Sequence, residues 1–168
     1  MIFLLAVEGN LMNSRTVRLT GALLGLVVLL GAFGAMAEEP AFDADLALEL
    51  GADEYGMRSY VFCVLKTGSA DITDEDERSE IFRGHFSNMS RLAADGMLVL
   101  AGPFVDADPK RGLYIFNVTT IAEAEELVKT DPAVAAGIFD YELTQLYCSA
   151  ALMKISELHG VIQKTKIE

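Results

Sequence analysis

Of the two histidines in this 168-residue chain, His85 is the one placed to do chemistry. Ile81, Phe82, Met89, Leu92 and Ala93 recur around it at spacings of three and four, which puts them and His85 on one face of a helix. That face is apolar, so the imidazole turns inward. Imidazole titrates near neutrality, and a histidine that keeps one ring nitrogen free can move protons at physiological pH. The same spacing suits a core histidine bonded to a backbone carbonyl, and sequence pattern alone leaves both readings open.

Other residues bear on a site less directly. Asp131 precedes Pro132 and, with Gly137 as the matching stop, has the form of an N-cap on one further helical turn. Gly102-Pro103 must end or bend a strand, because proline donates no ladder hydrogen bond. A glycine there also lets a ligand approach the backbone. Arg111 either orients an anionic substrate group or joins Lys110 in ion pairs with Asp106 and Asp108. Tyr60 and Phe62 supply apolar lining for a small pocket. His159 reads as a surface or packing residue. Two histidines without clustered ligand spacing do not make a zinc site, and neither a Gly-rich phosphate loop nor a serine-nucleophile elbow is present, so neither a metal nor a cofactor is expected.

The elements that must position these residues follow from periodicity. A short helix over Phe42–Gly51, with Leu46 and Leu50 on one face, leads through a polar connector into Tyr60–Leu65, a strand apolar on both faces. Thr73 opens the His85 helix, whose acidic first turn, Asp74 to Glu77, complements the helix dipole; Gly96 ends it. Met97–Val105 and Gly112–Val118 are strands. Thr120 and Glu123 form a capping box for a second helix carrying Ile121, Ala124, Leu127 and Val128 inward. Phe139 to Gln145 alternates like a half-solvated edge strand, and a last helix over 150–163 carries Leu152, Ile155, Leu158 and Ile162. The order strand, helix, strand, strand, helix, strand is that of a ferredoxin-like βαββαβ α+β fold with an antiparallel sheet.

The N-terminus is organised differently. Arg15 and Arg18 flank an apolar run from Gly21 to Phe33, and small residues at Ala35 and Ala37 precede Glu38, the pattern of a secretory signal cleaved after Ala37. Met12 is its natural start, and an uncleaved N-terminal anchor is the alternative. The expected organisation is a signal over 1–37, an extension over 38–57, the domain over 58–149 and a helical tail over 150–168. This places the mature protein in the periplasm or outside the cell. Cleavage removes Arg15, Arg18 and Glu8 and leaves the chain one charge more acidic than its full-length net of −12. Such a surface repels phosphate backbones and anionic lipid, so nucleic acid and, after cleavage, membrane are excluded as partners and a small molecule is favoured. Cys63 and Cys148 would meet an oxidising compartment; sequence leaves their pairing open.

His85 within a helix, Ala101-Gly-Pro103, Arg111-Gly112 opening a strand and Asp131-Pro-Ala-Val-Ala-Ala-Gly137 occur in the order found in the YCII-related (YciI-like) family. The chain resembles that family from about Met57 to Tyr147, and its flanks resemble those of exported bacterial members. The resemblance implies a ferredoxin-like fold that dimerises through its sheet as in dimeric α/β barrels, and a His-Asp pair in a pocket, which carries over to His85 and Asp131. Some relatives act on halogenated or hydroxylated ring compounds. Two functions are therefore expected in competition. One is a cofactor-independent lyase or isomerase with His85 and Asp131 as its catalytic pair and Gly102, Pro103, Tyr60, Phe62 and Arg111 around the substrate. The other is a non-catalytic, dimeric, periplasmic binding or accessory module.

Overall fold

A computed structural model describes residues 41–165. The signal expected over 1–37, with its start at Met12 and its cleavage after Ala37, lies outside that range. Helix α1, Ala44–Glu49, is capped by Asp43, whose carboxylate accepts the Leu46 N–H at 2.9 Å, and it ends where Gly51 takes φ +64°. Strand β1, Met57–Thr67, is longer than its apolar centre suggests. Helix α2 covers Glu75–Ala94. Its N-cap is Asp74, not Thr73: the carboxylate accepts the Glu77 N–H at 2.8 Å, and an anion at that end gains from the helix dipole as a hydroxyl does not. After α2, Gly96 turns the chain at φ +71° into β2, Leu98–Pro103.

Strand β3, Lys110–Phe116, leads to α3, Ile121–Val128, where both bonds of the Thr120–Glu123 capping box are made. Asp131 then caps the single turn α4, Pro132–Ala135, and β4 follows over Phe139–Ser149. The four strands form one antiparallel sheet in the order β2-β3-β1-β4, the ferredoxin-like arrangement, with β4 at an edge as its alternation requires.

Alternation divides β1 between two cores. Val61, Cys63 and Leu65 face the helices with Tyr114, Phe116, Leu92, Ala124 and Val128. Tyr60 and Phe62 face the other way, with Val99, Ile115 and Leu146. Residues two apart on a strand share a face, so a one-residue step decides which core a side chain joins. Cys63 and Cys148 fall on opposite faces and are both free thiols.

The C-terminal element departs from its expected form. Ala150–Lys154 is a 3-10 helix, and only Ile155–Ile162 is the helix α5. Three residues per turn in place of 3.6 break the phase of the stripe. Leu152 and Met153 pack over the Tyr60 core, whereas Leu158 and Ile162 remain 59% and 77% exposed.

Candidate functional site

His85 and Asp131 are the buried charged or strongly polar residues of the described core, at 7% and 0% exposure. His85 comes from the middle of α2, where its neighbours at helical spacing carry it toward the sheet. Asp131 comes from the junction of α3 and α4, and its place as N-cap aims its carboxylate at the start of α4 and at α2 together. The imidazole Nδ1 lies 2.9 Å from Oδ1 and 2.8 Å from Oδ2. The Ala133 N–H donates to Oδ1 at 2.9 Å, and the Tyr114 hydroxyl donates to Oδ2 at 2.9 Å. Cap and histidine partner are thus the same carboxylate.

Glycine allows the two elements to meet. A Cβ on Gly84, the residue before His85, would stand 2.9 Å from Cγ of Pro132, the residue after Asp131. Any larger side chain there would push α4 off α2 and lengthen the His85–Asp131 contact.

The arrangement sets the chemistry of the imidazole. A carboxylate that collects donors acts only as an acceptor, so Nδ1 carries the proton and Nε2 of a neutral ring is left as a base. Among the described residues Nε2 has no partner and no buried side-chain nitrogen or oxygen goes unpaired, so this atom keeps contact with solvent. Aromatic rings pack around the imidazole. The rings of Phe82, Phe86 and Phe139 lie 5.9, 5.2 and 5.4 Å from the imidazole, all roughly perpendicular to it.

Tyr114 belongs to this group and was not among the expected site residues. Its signal lay in its strand: a tyrosine in a run buried on both faces needs a partner for its hydroxyl. Burial first, then the negative Asp131 beside it, pushes the phenol well above its ordinary range. The same two causes push Cys63, the cross-strand neighbour of Tyr114, up to about 12. Both groups are therefore neutral around pH 7.

The remaining expected residues lie elsewhere. Tyr60 and Phe62 are on the far face of the sheet; Tyr60 is fully buried there, with its hydroxyl on the Ser149 carbonyl at 3.1 Å. They do not line the His85 site, because side chains alternate along β1 and residues 60 and 62 face away from the helices. Gly102 has open space where a Cβ would be, so no close approach demands glycine at that position. The demand falls on Gly112, whose Cβ would stand 2.9 Å from the Gly102 carbonyl oxygen. Pro103 ends β2 and is exposed. Arg111 is exposed at a register shift between β1 and β3, and no hydrogen bond or ion pair joins its side chain to His85 or Asp131. A cleft of about 480 Å³ is lined by Thr67, Gly68, Ser69, Val134, Gly137 and Phe139. Among the described residues no three His, Cys, Asp or Glu side chains gather as a metal-ligand set.

A sequence profile of the YCII-related domain matches residues 57–146, more than half of the chain. The chain belongs to the YCII-related domain family. A Bacillus subtilis (strain 168) YCII relative, the uncharacterised protein YjpA, is 32% identical over 81 residues, which cover 48% of this chain and 85% of YjpA. Among solved structures, the 5-chloro-2-hydroxyhydroquinone dehydrochlorinase TftG of Burkholderia phenoliruptrix AC1100, in complex with 2,5-dihydroxybenzoquinone, aligns at 18% identity. That alignment covers 50% of this chain and 90% of TftG, with a TM-score of 0.38. The YCII match begins and ends within the sheet, from the first residue of β1 into β4, and contains His85, Tyr114 and Asp131.

Proposed function

We propose that this YCII domain is an exported enzyme of lyase or isomerase type, in which His85 transfers a proton to or from a small cyclic or aromatic compound. One observation carries the reading: Nδ1 of His85 is held 2.8 Å from a fully buried carboxylate while Nε2 is left without a partner among the described residues. Asp131 fixes the tautomer and balances the charge that appears on the ring when Nε2 takes a proton. Positioned acid-base groups of this kind accelerate reactions on the order of 100- to 10,000-fold.

The step that needs only this pair is removal of a proton from carbon next to a carbonyl. The electron pair left behind either forms a double bond as a leaving group departs from the neighbouring carbon with its bonding pair, or is delocalised and takes the proton back from Nε2 at a different carbon. The first is an elimination and the second an isomerisation. Phe82, Phe86 and Phe139, packed around the imidazole, offer apolar surface to a ring compound.

In this reading a second copy of the chain covers the far face of the sheet, where Phe62, Val64, Leu100 and Leu113 remain only half-buried. Sedimentation at micromolar concentration should give twice the monomer mass, and a monomer there removes the dimer from the proposal. The functional test is NMR of the His85 side chain during titration with cyclic ketones and phenols. Signals that move on addition and are lost in His85→Gln support the proposal. An imidazole indifferent to every compound and to Asp131→Asn would leave His85 a core residue.

A further inference from the structure

Arg78, Phe82 and His85 stand at positions i, i+4 and i+7 of α2, so they line up along one side of the helix. Roughly 10 Å of axis separate the first from the last, at about 1.5 Å per residue. The guanidinium carbon of Arg78 is 5.2 Å from the centre of the Phe82 ring, the next residue along this line toward His85. That ring in turn meets the imidazole edge to face.

Among the described residues the guanidinium of Arg78, like that of Arg111, has no hydrogen-bond acceptor. Arg58 donates to the Leu50 carbonyl and to Asn117, Arg83 pairs with Glu80, and Arg91 pairs with Asp95. Among the described residues Arg78 makes no ion pair, although Asp74, Glu75, Asp76, Glu77 and Glu80 occupy the same stretch of chain. Asp74 is already engaged as the helix cap. A guanidinium laid on an aromatic ring keeps its N–H donors at its edge, and the stacking limits how much freedom is lost when an oxyanion is gripped by two of them.

We infer that Arg78 is the anion-binding residue of the His85 site, and that the ligand is a ring compound with an ionised acid group at the end remote from the atom that Nε2 faces. This rests on the proposed role of His85 as the substrate-facing group. The separation of Arg78 from His85 suits one ring and its acid substituent. The acidic first turn of α2 works against any anion that has nothing else to offer, since its carboxylates repel negative charge across a Debye length of about 8 Å. A ring overcomes that repulsion by covering the Phe82 edge as the acid meets Arg78. Acetate, which has no ring, does not.

The test uses the purified protein with three probes: 4-hydroxybenzoate, the neutral 4-hydroxybenzyl alcohol and acetate. The His85 side-chain NMR signals give each dissociation constant. The benzoate should bind about 10-fold more tightly than the alcohol, as expected for a charge-assisted pair, with acetate leaving the signals unmoved. Arg78→Gln should bring the two aromatic probes within about 2-fold of each other without changing the alcohol, and Arg78→Lys should retain part of the preference. Arg78 is exposed, and circular dichroism confirms the fold of each variant. A benzoate-to-alcohol ratio unchanged in Arg78→Gln overturns the role of Arg78 while leaving His85 as the binding group. Probes that never move the His85 signals overturn both.

Discussion

Tyr114 and His85 converge on one atom: the tyrosine hydroxyl is 2.9 Å, and the imidazole Nδ1 2.8 Å, from Oδ2 of Asp131. The two donors come from a strand and a helix on either side of the carboxylate, so neither can shift without affecting the other. Tyr114→Phe removes one of them at almost constant volume. It should lower stability by about 1.5 to 3 kcal/mol, the range for a hydrogen bond to a charged group. The Nδ1 proton of His85 should also exchange faster with water. Urea unfolding and proton NMR measure the two effects separately.

Asp131→Asn tests orientation apart from capping, because asparagine is as good an N-cap as aspartate. One side of the new amide donates where Oδ2 accepted, against two groups that also donate. The imidazole relieves the conflict by accepting at Nδ1 and carrying its proton on Nε2. The expected outcome is a folded protein whose His85 nitrogen spectra show the opposite tautomer, with any proton-transfer activity reduced on the order of 100-fold or more. Unchanged tautomer signals would mean that Asp131 serves α4 alone.

Gly84→Ala sets two effects against each other. Alanine favours an exposed helix over glycine by up to about 1 kcal/mol. Its methyl, however, would stand 2.9 Å from a proline ring with little freedom to move, and overpacking of this kind costs about 1 to 3 kcal/mol. The net should be a loss of roughly zero to 2 kcal/mol, accompanied by weakening of the His85–Asp131 bond. Perturbed His85 signals in a variant of near-normal stability would show that the glycine serves the site.

The domain should be labile to base. Cys63 is held up to about 12 by burial, then by Asp131, against 9.0 for the free thiol, and Tyr114 is raised for the same reasons. A group with a raised folded value adds stability that is intact below its unfolded value and is lost as pH climbs toward the folded one. The unfolding free energy from urea titration should therefore hold steady up to pH about 9 and then fall, by as much as about 4 kcal/mol from the thiol when fully developed. Cys63→Ala should flatten the first part of that fall, and the Tyr114 contribution should persist at higher pH. A free energy flat to pH 11 would contradict it.

The local elements were legible in the chain because local rules made them. Spacings of three and four put His85 inside α2, the Thr120–Glu123 box opened α3, and Asp131-Pro132 read as a cap and is one. Which residues share a space was another matter. His85 and Asp131 stand 46 positions apart, and their meeting was implied by family resemblance; no periodicity contains it. Tyr114 joins them because β3 pairs with β1 in a register that puts its odd partner Cys63 and its own ring on the helix side. Tyr60 and Phe62 are excluded by the same rule of alternation, since the face each residue takes depends on pairing across the sheet. Composition and spacing determined which residue types were available and which helix or strand carried them. Only the packing of α4 against α2, made close by a glycine and a proline, decided that a capping aspartate also holds a histidine.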